Sequence, residues 1–449
     1  MAVGSLARLH LSAVLPFEPA VREGLLLGSQ GQTLFLCVAA YLVAPLLDVP
    51  YWELSLSTPA LVLLVTDAAV SQGFRIIQRF LGWILLGMAI WFGQFVSLGA
   101  NVWAGMRDAA GKEAFWWLAK YAFWIAVFLL AVVIVARSDI GSRLAKVLAA
   151  AVIGLGLLRA GEGVLYGALG NAKSLLLEQN DYGWAFSTFF PFAVWLFLCG
   201  SPRWRWAAMP GLFVLSVAIA VNGSRSSWAA VVIGTALTLA CLFLWASANR
   251  ARNALLLTLA IVGLGLASTT LPSAWKKPVK ERWQTLSRLD RDKSYAVRSL
   301  MVDKALRLFE SSPWFGAGVG RFRVETVDLE IPLVLSTFSA SKYQRRSAHN
   351  AYLGLLAESG IVGAVPVGAL LVILAAGGVW AVRGHVLRGE TWAAPIFAGF
   401  VAMSVHLALL SGLTNTATWF MFGLVAGLIH RERRMRWAHS AGAGSRGFS

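Results

Sequence analysis

Cysteine is scarce in this chain. Cys37, Cys199 and Cys241 are the three in 449 residues, and no two of them form a CxxC pair. That spacing excludes a disulfide framework and a zinc site built on paired cysteines. Charge is scarce too. Asp, Glu, Lys and Arg make up 14% of the chain, where a soluble domain carries about 25%. So few charges cannot cover a surface that faces water on all sides. Also missing at the N-terminus is the compact charged, apolar and small-residue pattern of a removable signal peptide, so none is expected.

What is abundant is apolar. Hydrophobic residues make up 58%, with 20 Trp and 25 Phe, and the mean hydropathy is +0.67. Apolar runs of about 17–25 residues recur, the length of a helix crossing a bilayer and not of the alternating strands of a barrel. The expected fold is all-α and polytopic. Spans are predicted near 31–48, 57–70, 80–102, 116–136, 143–160, 183–200, 206–222, 226–247 and 253–271. Three more follow near 350–380, 392–411 and 413–430, which makes about twelve.

The formal net charge of +17 would point to nucleic acid in a soluble protein. In a membrane protein it reads as an orientation signal and as attraction to anionic lipids, and no nucleic-acid partner is expected. With the N-terminus in the cytoplasm, the inner loops receive Arg75 and Arg79, then Arg137, Arg143 and Lys146, Arg203 and Arg205, Arg250 and Arg252, and Arg383 and Arg388. The tail with Arg431, Arg433, Arg434 and Arg436 is also inside, so both termini are expected in the cytoplasm. Four segments result: 1–271 with nine spans, an outer basic segment 272–348, 349–430 with three spans, and the basic tail 431–449. Segment 272–348 has 15 Lys and Arg against 8 Asp and Glu, a net of +7. Long loops escape the orientation rule, so that charge implies an anionic partner outside the membrane.

The candidate chemistry lies in the outer half. Ser347-Ala348-His349-Asn350-Ala351-Tyr352-Leu353 closes the charged segment and opens an apolar one. It puts an imidazole, able to take a proton near neutral pH, where water meets membrane. Arg225, in Asn222-Gly223-Ser224-Arg225-Ser226-Ser227-Trp228, is an outer arginine where arginines are unusual, and its planar fork suits a phosphate. Arg298 leads a predicted amphipathic helix over 295–311, whose apolar face would lie on the membrane surface or the bundle. Pro313 ends it, and Gly316-Ala317-Gly318-Val319-Gly320 reads as a tight turn, not a nucleotide loop, because no strand precedes it. Asp290-Arg291-Asp292 has the spacing of a metal-binding DxD, but Arg288, Arg291 and Lys293 around it favour ion-paired carboxylates. No metal and no cofactor is expected.

These motifs carry a resemblance. His349-Asn350, then nine residues, Gly360, two residues and Gly363 is similar to the signature of the O-antigen ligase family. Ser224-Arg225 before Trp228 resembles its second motif, and the Arg-led helix, proline and glycine turn match as well. Two positions depart from the common pattern, Ala364 and Ala229. The resemblance implies a glycosyltransferase-C-like fold in the bacterial inner membrane with its active site facing the periplasm. It implies transfer of polysaccharide from undecaprenyl diphosphate to a sugar hydroxyl of lipid A-core. On that reading His349 is the base, and Arg225, Arg298, Arg288 and Arg159 hold the donor diphosphate. Ser224, Asn350 and Tyr352 support them. The same superfamily contains O-antigen polymerases and protein O-oligosaccharyltransferases. A transporter of lipid-linked sugars is the alternative from another class; it would carry charged or broken helices at the membrane midplane.

Overall fold

The computed structural model describes residues 29–43, 57–104, 109–137, 139–166, 179–246, 293–332, 335 and 343–444. Among them every regular element is helical. In chain order the helices are α1 (Ser29–Val43), α2 (Ser57–Trp103), α3 (Ala109–Arg137), α4 (Gly141–Tyr166), α5 (Gln179–Cys199), α6 (Pro202–Asn222) and α7 (Arg225–Trp245). After them come α8 (Lys293–Ser311), α9 (Ala351–Leu387), α10 (Ala393–Leu407) and α11 (Thr416–Gly444). Six described segments are long and apolar enough to cross a membrane: Ile77–Trp103, Phe115–Arg137, Gly141–Glu162, Gln179–Cys199, Arg225–Trp245 and Ala351–Leu387. Gln30–Val43 and Ala393–Leu407 are shorter apolar helices. Among the described residues the protein is therefore all-helical, with the spans of a multi-pass membrane protein.

Against about twelve expected spans, six candidate spans stand among the described residues, and one expected pair is corrected. The segments expected at 57–70 and 80–102 belong to one uninterrupted helix, α2. Residues 71–79 lower the hydropathy, but Gln and Arg are good helix formers and no proline intervenes, so polarity there does not break the helix. The span expected at 253–271 and the N-terminal segment lie outside the described residues.

Small residues set the helix packing, as expected where lipid offers no hydrophobic drive between helices. Gly423 and Gly427, four apart on α11, rest against Phe128, Ala131 and Val135 of α3, and a side chain at either would collide there. Around α5, α7 and α10 the same device recurs. Gly183 abuts the Ser224 and Ser227 hydroxyls, Gly234 abuts Pro191 and Ala402, and Gly399 abuts the Thr188 carbonyl. These three helices form the wall on which the site is built.

The two ends of the bundle differ in chemistry. One end gathers charge into pairs. The His385 ring bonds Glu390 through Nδ1 and the Leu428 carbonyl through Nε2, and Arg431 bonds Glu390 at 2.7 Å and Asp139 at 3.1 Å. Glu432, fully buried, is held by Arg388 and by Arg436 at 2.7 Å.

At the other end α8 buries Ala296, Val297, Leu300, Met301, Ala305 and Leu308. That face packs on Phe322, Leu335, Tyr343 and Ala348 and on Leu353 and Ala357 of α9. The amphipathic helix is thus roofed by its own segment as well as by the bundle. Lys304 lies fully buried within the same face, its Nζ donating to the Gln344 carbonyl at 2.5 Å and standing 4.9 Å from the Phe322 ring centroid. Burial pushes the Lys304 ammonium down to about 8.

Candidate active site

The polypeptide first tightens between α6 and α7. Gly223, at φ 65°, ends α6 in the left-handed region that favours glycine, and Ser224 is the extended N-cap of α7. Asn222 and Gln179 exchange hydrogen bonds, each side-chain amide donating to the other's carbonyl, the Asn222 bond at 3.0 Å. This exchange ties the start of α5 to the turn. Arg225 is consequently presented as the first residue of α7.

The His349 segment is fixed by its neighbours. The Asn350 side chain caps α9, its Oδ1 accepting from the backbone N–H groups of Tyr352 and Leu353 at 3.0 Å each. Tyr352 Oη donates to the Ser404 carbonyl at 2.9 Å, and the His349 N–H donates to Ser411 Oγ at 3.2 Å. Both bonds lash the segment to α10 and the turn after it. His349 itself adopts φ 51°, the one positive φ at a non-glycine position among the described residues. Such a conformation is held only where the surroundings over-determine it, and it is common at functional sites.

Ten residues after Asn350 the helix is interrupted. Gly360 has φ 59° and ψ −164°, a conformation essentially confined to glycine, so α9 is two helices joined by a break. The break leaves backbone groups unpaired, and the glycine turn pairs them. Ala317 N–H and Gly318 N–H donate to the carbonyls of Ala357 and Glu358 at 2.8 and 2.9 Å. In return Ile361 N–H and Val362 N–H donate to Pro313 and Trp314. The Glu358 carboxylate accepts the Phe322 N–H at 3.0 Å. A side chain at Gly316 would collide with the backbone of Glu358 and Ser359, and one at Gly360 with that of Trp314 and Phe315. Gly363 has no room either, beside Ser359 and Gln94, and the Gln94 amide donates to its carbonyl at 3.0 Å.

Arg225, Arg298 and His349 meet at one cavity of about 420 Å³, with Ser224 also in its lining. The turn at Gly223–Arg225 brings the N-terminal end of α7 to it. The first described residues of α5 (Gln179, Asn180) and of α8 (Lys293, Ser294) reach it too, and His349 stands just before the N-cap of α9. Helix N-termini carry partial positive charge and N–H groups that have no partner within their own helix. Lys293, Arg225, Arg298 and Arg346 add four full charges, and no carboxylate is among the described lining residues. The site is built for an anion. Burial, followed by the charges of Arg298, Arg346 and Arg323, pushes the His349 imidazole down to about 4. It is therefore neutral near pH 7, with a ring nitrogen able to accept a proton.

Asn350 and Tyr352 act on His349 through backbone and helix, outside the cavity lining. Arg159 stands apart. It is buried in α4, bonded to Glu162 one turn away at 3.1 Å, with its guanidinium 5.3 Å from the Tyr182 ring centroid. Its Nη1 donates to Glu162 while its buried Nε has no partner among the described residues, and it is not among the described residues that line the cavity. Arg288, Asp290 and Asp292 lie outside the described residues. Sequence reading passed over Arg346, Lys293 and the Gln179-Asn180 pair, although Arg345-Arg346 just before His349 was a visible signal.

Residues 210–368 match the model of the O-antigen ligase family. No curated protein matches the chain.

Proposed function

We propose that this chain, which residues 210–368 assign to the O-antigen ligase family, transfers polysaccharide from undecaprenyl diphosphate to a sugar hydroxyl of lipid A-core. The observation that carries the proposal is the convergence of Arg225, Arg298, Arg346 and His349 on one cavity, with no carboxylate among its described lining residues. A lipid diphosphate is already an activated leaving group, so transfer needs a base for the acceptor hydroxyl and positive charge for the departing diphosphate. His349 takes the hydroxyl proton while the oxygen attacks the anomeric carbon. The C–O bond from that carbon to the diphosphate breaks, its electron pair leaves on the diphosphate oxygen, and the arginines neutralise that charge. Direct displacement inverts the anomeric configuration. Guanidinium groups neutralise the diphosphate without a metal.

The ends of the bundle support the orientation. Arg388, Arg431 and Arg436 lie together at the end away from the cavity, so the positive-inside rule puts that end, with the 431–449 tail, in the cytoplasm. The cavity and segment 272–348 then face the periplasm of the inner membrane. Within this topology, segments 1–271 and 349–430 form the membrane body.

Reconstitution in liposomes with undecaprenyl-diphosphate-linked glycan and purified lipid A-core tests the reading. The expected product is a new glycosidic bond on lipid A-core. Extension of the lipid-linked glycan alone, or of a protein acceptor, would move the assignment to a polymerase or protein-glycosylating relative. Movement of glycan across the bilayer without a new bond would make it a transporter.

A further inference from the structure

Burying a lysine among apolar side chains is costly unless its ammonium is needed there. Lys304 is fully buried in the apolar face of α8. Its one hydrogen bond among the described residues goes to a backbone carbonyl, that of Gln344, at 2.5 Å. Apolar residues of similar size often replace buried charges without loss of stability, so stability alone is a poor reason for a lysine here. What the bond reaches is the turn at residues 343–346, and that turn is pinned at three points. Lys304 holds the Gln344 carbonyl. The Gln344 side-chain amide donates to the Val327 carbonyl at 2.5 Å, and its Oε1 accepts the Val327 N–H at 3.4 Å. Tyr343 Oη donates to the Leu335 carbonyl at 3.0 Å. The Arg346 N–H then closes the turn on the Tyr343 carbonyl at 3.1 Å.

This turn forms part of the cavity wall. Leu335, Tyr343 and Arg346 all line it, and the Arg346 guanidinium lies 6.0 Å from the Tyr343 ring centroid. The Arg346 side chain is exposed, so its backbone, and not packing around it, sets where the charge stands. Nearer its N-terminus α8 supplies Lys293 and Arg298 to the same cavity. Arg298 and Lys304 are six residues apart on that helix, about 9 Å along its axis. One rigid helix thus carries a cavity arginine and, further along, grips the backbone that carries another. We propose that Lys304 is a positioning residue for the donor site: its bond to the Gln344 carbonyl fastens the 343–346 turn to α8, so that Arg346 and Arg298 are held at one spacing across the cavity. This rests on the reading of the cavity as a diphosphate site.

The test is a double-mutant cycle in nanodiscs, with binding of inorganic pyrophosphate as the readout. Lys304→Met and Lys304→Leu both remove the donor and keep an apolar stem, and the cycle uses whichever purifies monodisperse. The expected result is about a tenfold weaker affinity on the wild-type background, the share of one charge-assisted contact. No further loss is expected on the Arg346→Gln background, because Lys304 acts through Arg346. Gln344→Leu frees the same turn from Val327 and should show the same dependence on Arg346. Lys304→Gln keeps an N–H donor without the charge and should lose clearly less affinity than the apolar variants. Equal losses on both backgrounds would reduce Lys304 to packing and overturn the proposal. Unchanged affinity in the apolar variants would overturn it too, and so would a glutamine variant no better than they are. If Arg225→Ala and Arg298→Gln bind pyrophosphate as the wild type does, the diphosphate reading itself fails and this inference falls with it. If they lose binding while the Lys304 variants keep it, only the positioning role is wrong.

Discussion

Arg225 and His349 carry the two halves of the proposed chemistry, and each has a consequence that can be read separately. The value of Arg225 lies in its planar fork, set at the first turn of α7. Lysine keeps the charge but makes only a point contact, so Arg225→Lys should lower kcat/KM by about tenfold or more, nearly as far as Arg225→Ala. Recovery of most activity by lysine would show that charge alone suffices. For His349, burial and three arginines favour the neutral ring. A group with its pKa lowered to about 4 is in its base form above that pH and loses it below. The acid limb of kcat/KM, which reports the free enzyme, is therefore expected near pH 4. Bound diphosphate offsets the arginine charges and removes part of the lowering. The acid limb of kcat, which reports the complex, should lie at higher pH. Limbs at the same pH would mean that the diphosphate does not share a field with His349.

At the scale of elements, the break in α9 is the feature that sequence concealed most completely. The run from Ala351 onward is apolar apart from Glu358 and Ser359, and one continuous span is predicted there. Gly360 and Gly363 were visible as a spacing, but what they do was not. Gly360 supplies a backbone conformation closed to other residues, and together with Gly316 it permits two backbones to pair across the break. Gly360→Ala should therefore cost about 1–3 kcal/mol in backbone strain alone, with the collision against Trp314 added. A thermal scan of the purified variant should show a clearly lower midpoint and an outer segment that proteases cut more readily. A variant as stable as the wild type would mean the break is not required. Other elements were legible for stated reasons. The amphipathic helix expected over 295–311 showed its apolar spacing and stands as α8. Continuity of α2 through Arg75 and Arg79 was not legible, because hydropathy reports solvent preference and not helix propensity. Lys304 in the apolar face of α8 was likewise hidden, since its carbonyl partner Gln344 is distant in sequence.

At the scale of the whole molecule, the fold separates two tasks. One end of the bundle neutralises its charge internally through Glu390, Glu432 and Asp139. The other gathers Arg225, Arg298, Arg346 and Lys293 at a cavity with no carboxylate among its described lining residues. Between them lie helices packed through small residues, which hold the Arg225 turn and the His349 segment on one wall. The central claim is that this wall binds a lipid-linked diphosphate and, at a distinct residue, removes a proton. Single-turnover transfer by His349→Ala, measured beside its affinity for the undecaprenyl-diphosphate donor, tests that division most directly. Donor affinity should stay within about threefold of the wild type while the transfer rate falls by about 10²–10⁴-fold, the span of a lost general base. A transfer rate close to that of the wild type, at full donor occupancy, would remove His349 from the chemistry and the division of labour with it.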